Sequence, residues 1–290
     1  MDAFQTVLYI IVTVYVLSMV GILLFGFMNS FKSGMEFWLN KNVFLPPSKE
    51  YGWHPENYAK TFELFYATAK RIGEAPREVY AGEMLLNSFI YSAGMSFFCL
   101  ATEIMMAYAL SKYEFRFKNL LYSVAVIVML IPIIGSLASE VQFAEVLGLR
   151  DNFLGVFIMR CKFPGLYFLV FYATFKGVSW TYAEAAQIDG ASHLRVFLEV
   201  MLPLIKSTVF AVFILLFIES WNDYYTPMIF MPNRPTISYG LFQFQNSTAT
   251  NNNLPIKLAA CFLASIPILA VFIVFKDKIM GNVTMGGIKG

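Results

Sequence analysis

Charge is what this chain has least of. Of its 290 residues only 14% are Asp, Glu, Lys or Arg, where a soluble protein carries roughly 25%. Histidine is scarcer still, at His54 and His193 alone, and no set of His, Cys and carboxylates has metal-ligand spacing. Three cysteines, Cys99, Cys161 and Cys261, all lie in apolar stretches. They form no extracellular disulfide framework and read as small buried hydrophobes. Also missing are a GxxxxGK[ST] phosphate loop, HExxH, CxxC and GxSxG. These absences argue against an enzyme, a metal site or a cofactor within this chain. Any energy input has to come from elsewhere.

Membrane-length hydrophobicity is what the chain does have, with a mean hydropathy of +0.61. A helix crosses a bilayer in about 20 apolar residues, and backbone polar groups in lipid must be satisfied within the segment, so the runs read as helices. Six are expected, near residues 7–28, 84–110, 119–138, 153–175, 208–231 and 256–275. The expected fold is therefore all-α, an integral membrane protein with six transmembrane helices and one helix–Gly–helix loop. It divides into a first span at 1–28, an extracytoplasmic cap at 29–83, and a five-helix core at 84–290 holding the loop at 178–206. The first run lacks a basic n-region and a small-x-small cleavage site, so it reads as a retained span and not a signal peptide.

Basic residues in short loops set the orientation. Lys112, Arg116 and Lys118 follow span two; Lys176, Arg195 and Lys206 mark the 178–206 loop; Lys276, Lys278 and Lys289 lie in the tail. The other side has only Arg150 and Arg234 in its short loops. Both ends and the 178–206 loop are expected in the cytoplasm, the chain being multi-pass in the cell (inner or plasma) membrane. The outer segments are 29–83, where helical spacing at Tyr58, Phe62, Phe65 and Tyr66 predicts one or two short helices, and the Asn/Ser/Thr-rich loop 232–255.

The loop TYAEAAQIDGASHLRVFLEVMLPLI, 181–205, is polar between apolar spans. Residues 180–189 and 191–202 each suit a short helix, with Leu194, Phe197, Leu198, Met201 and Leu202 on one stripe of the second. Gly190 permits a sharp turn and Pro203 ends or kinks the second helix. Beside Glu184, Ala185 and Ala186 leave a smooth face for close approach by another protein, and the carboxylate can bond a basic residue across the contact. The alternative, an amphipathic helix on the membrane surface, accounts for the stripe but not for the hinge and paired alanines.

The spacing Glu184-Ala185-Ala186, x3, Gly190, x9, Val200, x, Leu202-Pro203 resembles the EAA signature of permease subunits in binding-protein-dependent ABC importers. Val200 stands where that family usually has Ile. AYALSKYEFRFKN after span two, SWNDYYTPMIF in span five and GGIKG at 286–290 are similar to the carbohydrate branch of the MalG type. The resemblance implies that Glu184, Ala185, Ala186, Asp189, Gly190, Leu202 and Pro203 couple the chain to an ATPase. It further implies a second homologous permease, two ATPase subunits that bind ATP and Mg, an extracytoplasmic solute-binding protein, and a sugar or oligosaccharide as cargo. No nucleic acid is expected as a partner.

Charges inside spans are costly and point to function. Arg160 and Lys162 either line a translocation path, which favours an acidic saccharide, or snorkel to the interface. Trp221, Asn222 and Asp223 combine an aromatic plane with polar groups, as sugar sites do, though such residues also anchor helix packing. Glu103 and Glu219 line the path or bond neighbouring helices. Pro132 and Pro267 are expected to kink spans three and six. An ion-coupled secondary transporter is the alternative class; it shows inverted repeats with broken helices, no repeat is evident, and the 181–205 loop stays unexplained.

Overall fold

The computed structural model describes residues 3–39, 43–69, 75–131, 135–161, 165–247 and 253–283, with side chains to 276. Its elements run α1 Ala3–Ser30, α2 Gly34–Trp38, α3 Glu56–Leu64, β1 Tyr66–Ala69, β2 Arg77–Tyr80, α4 Ala81–Lys112, α5 Lys118–Leu130, α6 Leu137–Val146, α7 Phe153–Arg160 and α8 Tyr167–Gly177. Then follow α9 Thr181–Ile188, α10 His193–Arg195, a π-helical turn Val196–Met201, α11 Leu202–Leu204, α12 Lys206–Asn222, α13 Tyr225–Phe230, α14 Ile237–Asn246 and α15 Leu254–Val283.

Among the described residues, α1, α4 and α15 are each long and apolar enough to cross a membrane. Three expected spans are interrupted. In the run 119–138, α5 ends at Leu130 and α6 starts only at Leu137, after Gly135 at φ +87°. The run 153–175 divides into α7 and α8, and 208–231 into α12 and α13. Capping explains where the short helices start. Asn152 accepts a bond from Leu154 N–H at the head of α7, and Asp223 Oδ1 accepts from Thr226 N–H at 3.0 Å in α13. Hydropathy registers none of this, because an apolar run stays apolar across a break. Non-helical backbone of this kind is tolerated in a membrane only where protein or water covers it. Pro267 stands inside α15; Pro132 and Lys162 fall outside the described residues.

The chain divides into two compact units. The first comprises Met1–Met84 and Ile237–Pro267. Its strands pair antiparallel, Tyr66 opposite Tyr80 and Ala67 opposite Val79, so Ala67, Ala69 and Val79 share one face with Phe65, Met84, Phe244 and Ile256. The sequence pattern predicts helix through Tyr66; the helix stops at Leu64 instead. The stretch Tyr66-Ala67-Thr68-Ala69 alternates as well as it spirals, and tertiary bonds decide the matter. Gln243 accepts from Thr68 N–H at 2.8 Å and donates back to its carbonyl at 3.3 Å. The polar stretch expected as an outer loop at 232–255 thus contains a helix, α14, whose Ile237 and Phe244 are buried. Where α1 ends, Asn57 donates to the carbonyls of Ser30 and Lys32, both at 2.9 Å. Burial depresses the pKa of Lys32, an effect partly offset by Glu36.

The second unit comprises Leu85–Thr236 and Ile268–Gly290. One core gathers Tyr108, Phe168, Phe171, Phe175, Met201 and Ile205. The other gathers Tyr91, Val156, Phe157, Phe230 and Met231. Asp151 ties the loop before α7 to the loop after α13. It sits at φ +56°, its N–H donates to Phe230 carbonyl at 2.8 Å, and its carboxylate accepts from Asn233 N–H and Nδ2 at 3.0 and 2.8 Å. Asp151→Ala removes the two Asn233 bonds and puts a residue that dislikes the left-handed region there. A loss of about 2 kcal/mol is expected, measurable as lowered thermal stability in detergent.

Candidate functional site

The densest set of singled-out residues is the knob at 181–205. Its first helix, α9, ends in a full Schellman closure: Ala191 N–H donates to Ala186 carbonyl at 2.9 Å and Gly190 N–H to Gln187 carbonyl at 3.0 Å. Gly190 lies at φ +85°, and a β-carbon added to it would meet open space, so the demand for glycine is conformational and not steric. Ser192 then accepts from Arg195 N–H and starts the second helix.

That second helix departs from the expected α stripe. Residues 196–201 form a π turn, whose i to i+5 repeat aligns positions five apart. Val196 and Met201 are accordingly both fully buried, while Leu194 and Leu198, expected on the inner stripe, are 67% and 49% exposed. The helical stretch reaches Leu204, one residue beyond Pro203, and the chain bends by 80° into α12.

The knob is seated on one end of α4. Ala183, Val196 and Met201 are buried in the same core as Tyr108. Tyr108 and Phe197 rings lie 4.8 Å apart, Tyr113 and Trp180 rings 5.9 Å apart, and Lys112 Nζ donates to Val178 carbonyl. Tyr113 also meets His193 edge-on at 5.8 Å. Opposite this seat, Glu184, Ala185, Ile188 and Asp189 face outward, and Ile188 is 86% exposed. Ala186 is half-buried and Leu202 packs on the core, whereas Pro203 is exposed. A fixed, unpaired apolar and acidic face is therefore presented by an inwardly bonded scaffold. Chemically it can dock and transmit motion to α4; it holds no set of groups for covalent chemistry. The seat residues Tyr108, Lys112 and Tyr113 had a signal, since AYALSKYEF carried part of the sequence resemblance.

The residues expected along a substrate path separate into different roles. Arg160 is paired with Glu140 at 3.4 Å, and its guanidinium lies 4.7 Å over the Phe230 ring. Trp221 is buried and stacked on Phe217 at 5.8 Å. Asp223 accepts from Tyr91 Oη at 2.8 Å besides capping α13. Of these three neighbours only Asn222 is exposed. Glu103 accepts from Gly165 N–H at 2.8 Å across the interruption between α7 and α8, and a side chain at Gly165 would collide with that carboxylate at 2.5 Å. Cys99 and Cys161, free thiols 2.7 Å apart, flank the same interruption. Glu219 accepts from Tyr167 Oη at 2.8 Å. Glu140 and Tyr167 were not anticipated; the acid lies just past the end of an expected span, outside the in-span charge argument that singled out Arg160. Among the described residues no three His, Cys, Asp or Glu side chains converge on a common point.

Comparison with known proteins places this geometry in context. Residues 103–282 match the family model described as the binding-protein-dependent transport system inner membrane component. The diacetylchitobiose uptake system permease protein NgcG of Streptomyces coelicolor is 26% identical over 267 residues, covering 91% of this chain and 82% of that protein. The arabinooligosaccharides transport system permease protein AraQ of Bacillus subtilis is 24% identical over 205 residues, 70% of this chain and 72% of that one. A solved bacterial ABC transporter involved in the import of the acidic polysaccharide alginate contains a chain of the same fold. Its TM-score is 0.71 at 21% identity, covering 94% of this chain and 95% of the other.

Proposed function

Because the chain belongs to the binding-protein-dependent transport system inner membrane components, we propose that it is the permease subunit of an ATP-driven importer of a sugar or oligosaccharide. The observation that carries this reading is the knob, hinged at Gly190 by a Schellman closure and bonded to the end of α4. In this reading the knob is cytoplasmic, both chain ends lie on the same side, and six passes arise from α1, α4, α15 and the interrupted segments. A separate ATPase subunit binds ATP and Mg and receives Glu184, Ala185 and Ala186 in a cleft. Two such ATPases, a second homologous permease and an extracytoplasmic binding protein complete the machine. The outer segments 29–83 and 232–255 receive the binding protein. The chain performs no covalent chemistry; ATP-driven closure in the partner shifts it between inward- and outward-open populations, with α4 as the first element to feel the knob move.

The relatives' names support a carbohydrate cargo. The acidic alternative drew on Arg160 and Lys162; the Arg160 charge is already matched by Glu140, and the likeness to the alginate importer supports the fold alone. Purification in mild detergent from cells that also express the neighbouring reading frames tests the reading. An ATPase subunit is expected to accompany the wild-type chain and to be lost from Gly190→Pro, with the variant still present in membranes. Consistent absence of any ATPase from the wild type would favour an ion-coupled secondary transporter instead.

A further inference from the structure

Glu219 and Asn222 stand three residues apart on α12, hence on one face of it, and both are exposed. The far side of the helix is packed through Phe217 and Trp221, while Leu216 and Val212, on the same side as Glu219 but one and two turns earlier, are buried. A carboxylate and an amide on a membrane-spanning helix do not face lipid; such groups turn toward a water-filled cavity or another protein surface. Glu219 is held in place by one bond, from Tyr167 Oη at 2.8 Å. Among the described residues, two other charges near the interrupted spans have partners within the chain. Arg160 is matched by Glu140 and the Phe230 ring, and Asp223 by Tyr91 and the head of α13. What this face exposes is the Glu219 carboxylate with the Asn222 amide beside it.

We propose that Glu219, positioned by Tyr167 and accompanied by Asn222, forms a water-facing, electronegative subsite on the translocation path that accepts the hydroxyls of uncharged saccharides and disfavours uronates. A carboxylate accepts hydroxyl hydrogens in charge-assisted bonds, and Asn222, whose Nδ2 already donates to Ile218 carbonyl at 2.9 Å, keeps its Oδ1 and one N–H for a ligand at the next turn. An anionic sugar entering the same face meets repulsion that low-dielectric walls strengthen. The assignment rests on the permease reading above, since a path is needed for a subsite to line it.

Thiol labelling tests it without knowledge of the natural sugar. Asn222→Cys is made in the full chain, in membranes of cells that also express the neighbouring reading frames. The parent chain, with Cys99, Cys161 and Cys261, supplies the blank. Labelling rates with a cationic trimethylammonium methanethiosulfonate and an anionic sulfonate one are each normalised to a small free thiol. The cationic reagent is expected to react about tenfold faster, and Glu219→Gln in the same background to bring the ratio near one. Tyr167→Phe keeps the charge and is expected to keep the preference, which separates charge from packing. Glu219→Cys with a neutral reagent reads water access independently and is expected to label. A face inert to all reagents, as when a second permease covers it, overturns the proposal, and so does a ratio that Glu219→Gln leaves unchanged. If the preference holds while no ATPase accompanies the chain, the permease reading falls and the electronegative face stands. If an ATPase accompanies it and the face is inert, the reverse follows.

Discussion

Replacing Glu184 with lysine is expected to reduce substrate uptake by about a hundredfold while the protein still reaches the membrane at normal levels. Glu184 is exposed on α9, away from the core that seats the knob. Its substitution therefore costs the fold little, as surface changes generally do. The cost falls on docking. In the proposed complex the carboxylate meets a basic residue of the ATPase, and lysine turns an attraction into a repulsion at a desolvated contact. Breaking a buried charge pair at an interface is worth roughly 2–5 kcal/mol, enough for the stated loss. Glu184→Gln keeps the size and removes the charge, so a smaller defect is expected. Uptake by whole cells, ATPase co-purification and membrane abundance are the three measurements. Normal uptake by Glu184→Lys would remove the knob from the mechanism.

The largest stability effect is expected at Gly155, in α7. A β-carbon there would overlap the Leu149 carbonyl oxygen and lie 2.7 Å from the Leu149 Cα. These are backbone atoms and cannot swing aside as a side chain would. The turn that carries them is held by Leu149 N–H on Ala144 carbonyl at 2.8 Å and by the Asp151–Asn233 bonds. Gly155→Ala must displace the turn or unseat α7, at about 3 kcal/mol, the upper part of the overpacking range. A fall of roughly 5 °C in the thermal midpoint follows for a chain of this size. A thiol-reactive dye reading exposure of the half-buried and buried cysteines on heating measures it. Gly177→Ala is the control: nothing lies within 4 Å of its added carbon, and its midpoint is expected to stay within about 2 °C. Equal midpoints for the two variants would show that the 145–155 turn yields easily.

Much of the knob was legible in the sequence because its signals are local. A glycine separated by three residues from paired alanines marks a hinge, and Gly190 does occupy the left-handed region, at φ +85°. The apolar stripe of the second helix was legible in part: Phe197, Met201 and Leu202 do pack on the core, whereas Leu194 and Leu198 are exposed, since counting by 3.6 assumes an α-helix. The π turn brings Val196 inward beside Met201. Nothing in residues 196–201 announces a π turn; it is settled by packing against Tyr108 and its neighbours. The same limit applies to Arg160, whose partner Glu140 is distant in sequence, and to β1, whose identity depends on Gln243.

Composition by itself determined that this is a helical membrane protein, because a bilayer penalises every charge and every unpaired backbone group regardless of fold. Local spacing determined the hinge and the exposed acid of the knob, since caps and turns are made by residues near one another in the chain. Tertiary structure alone decided where the spans break, which charges are matched and which face of α12 carries an open carboxylate. Those outcomes depend on partners brought together from remote positions, Arg160 with Glu140, Tyr167 with Glu219 and Glu103 with Gly165, and no periodicity along the chain encodes such pairings.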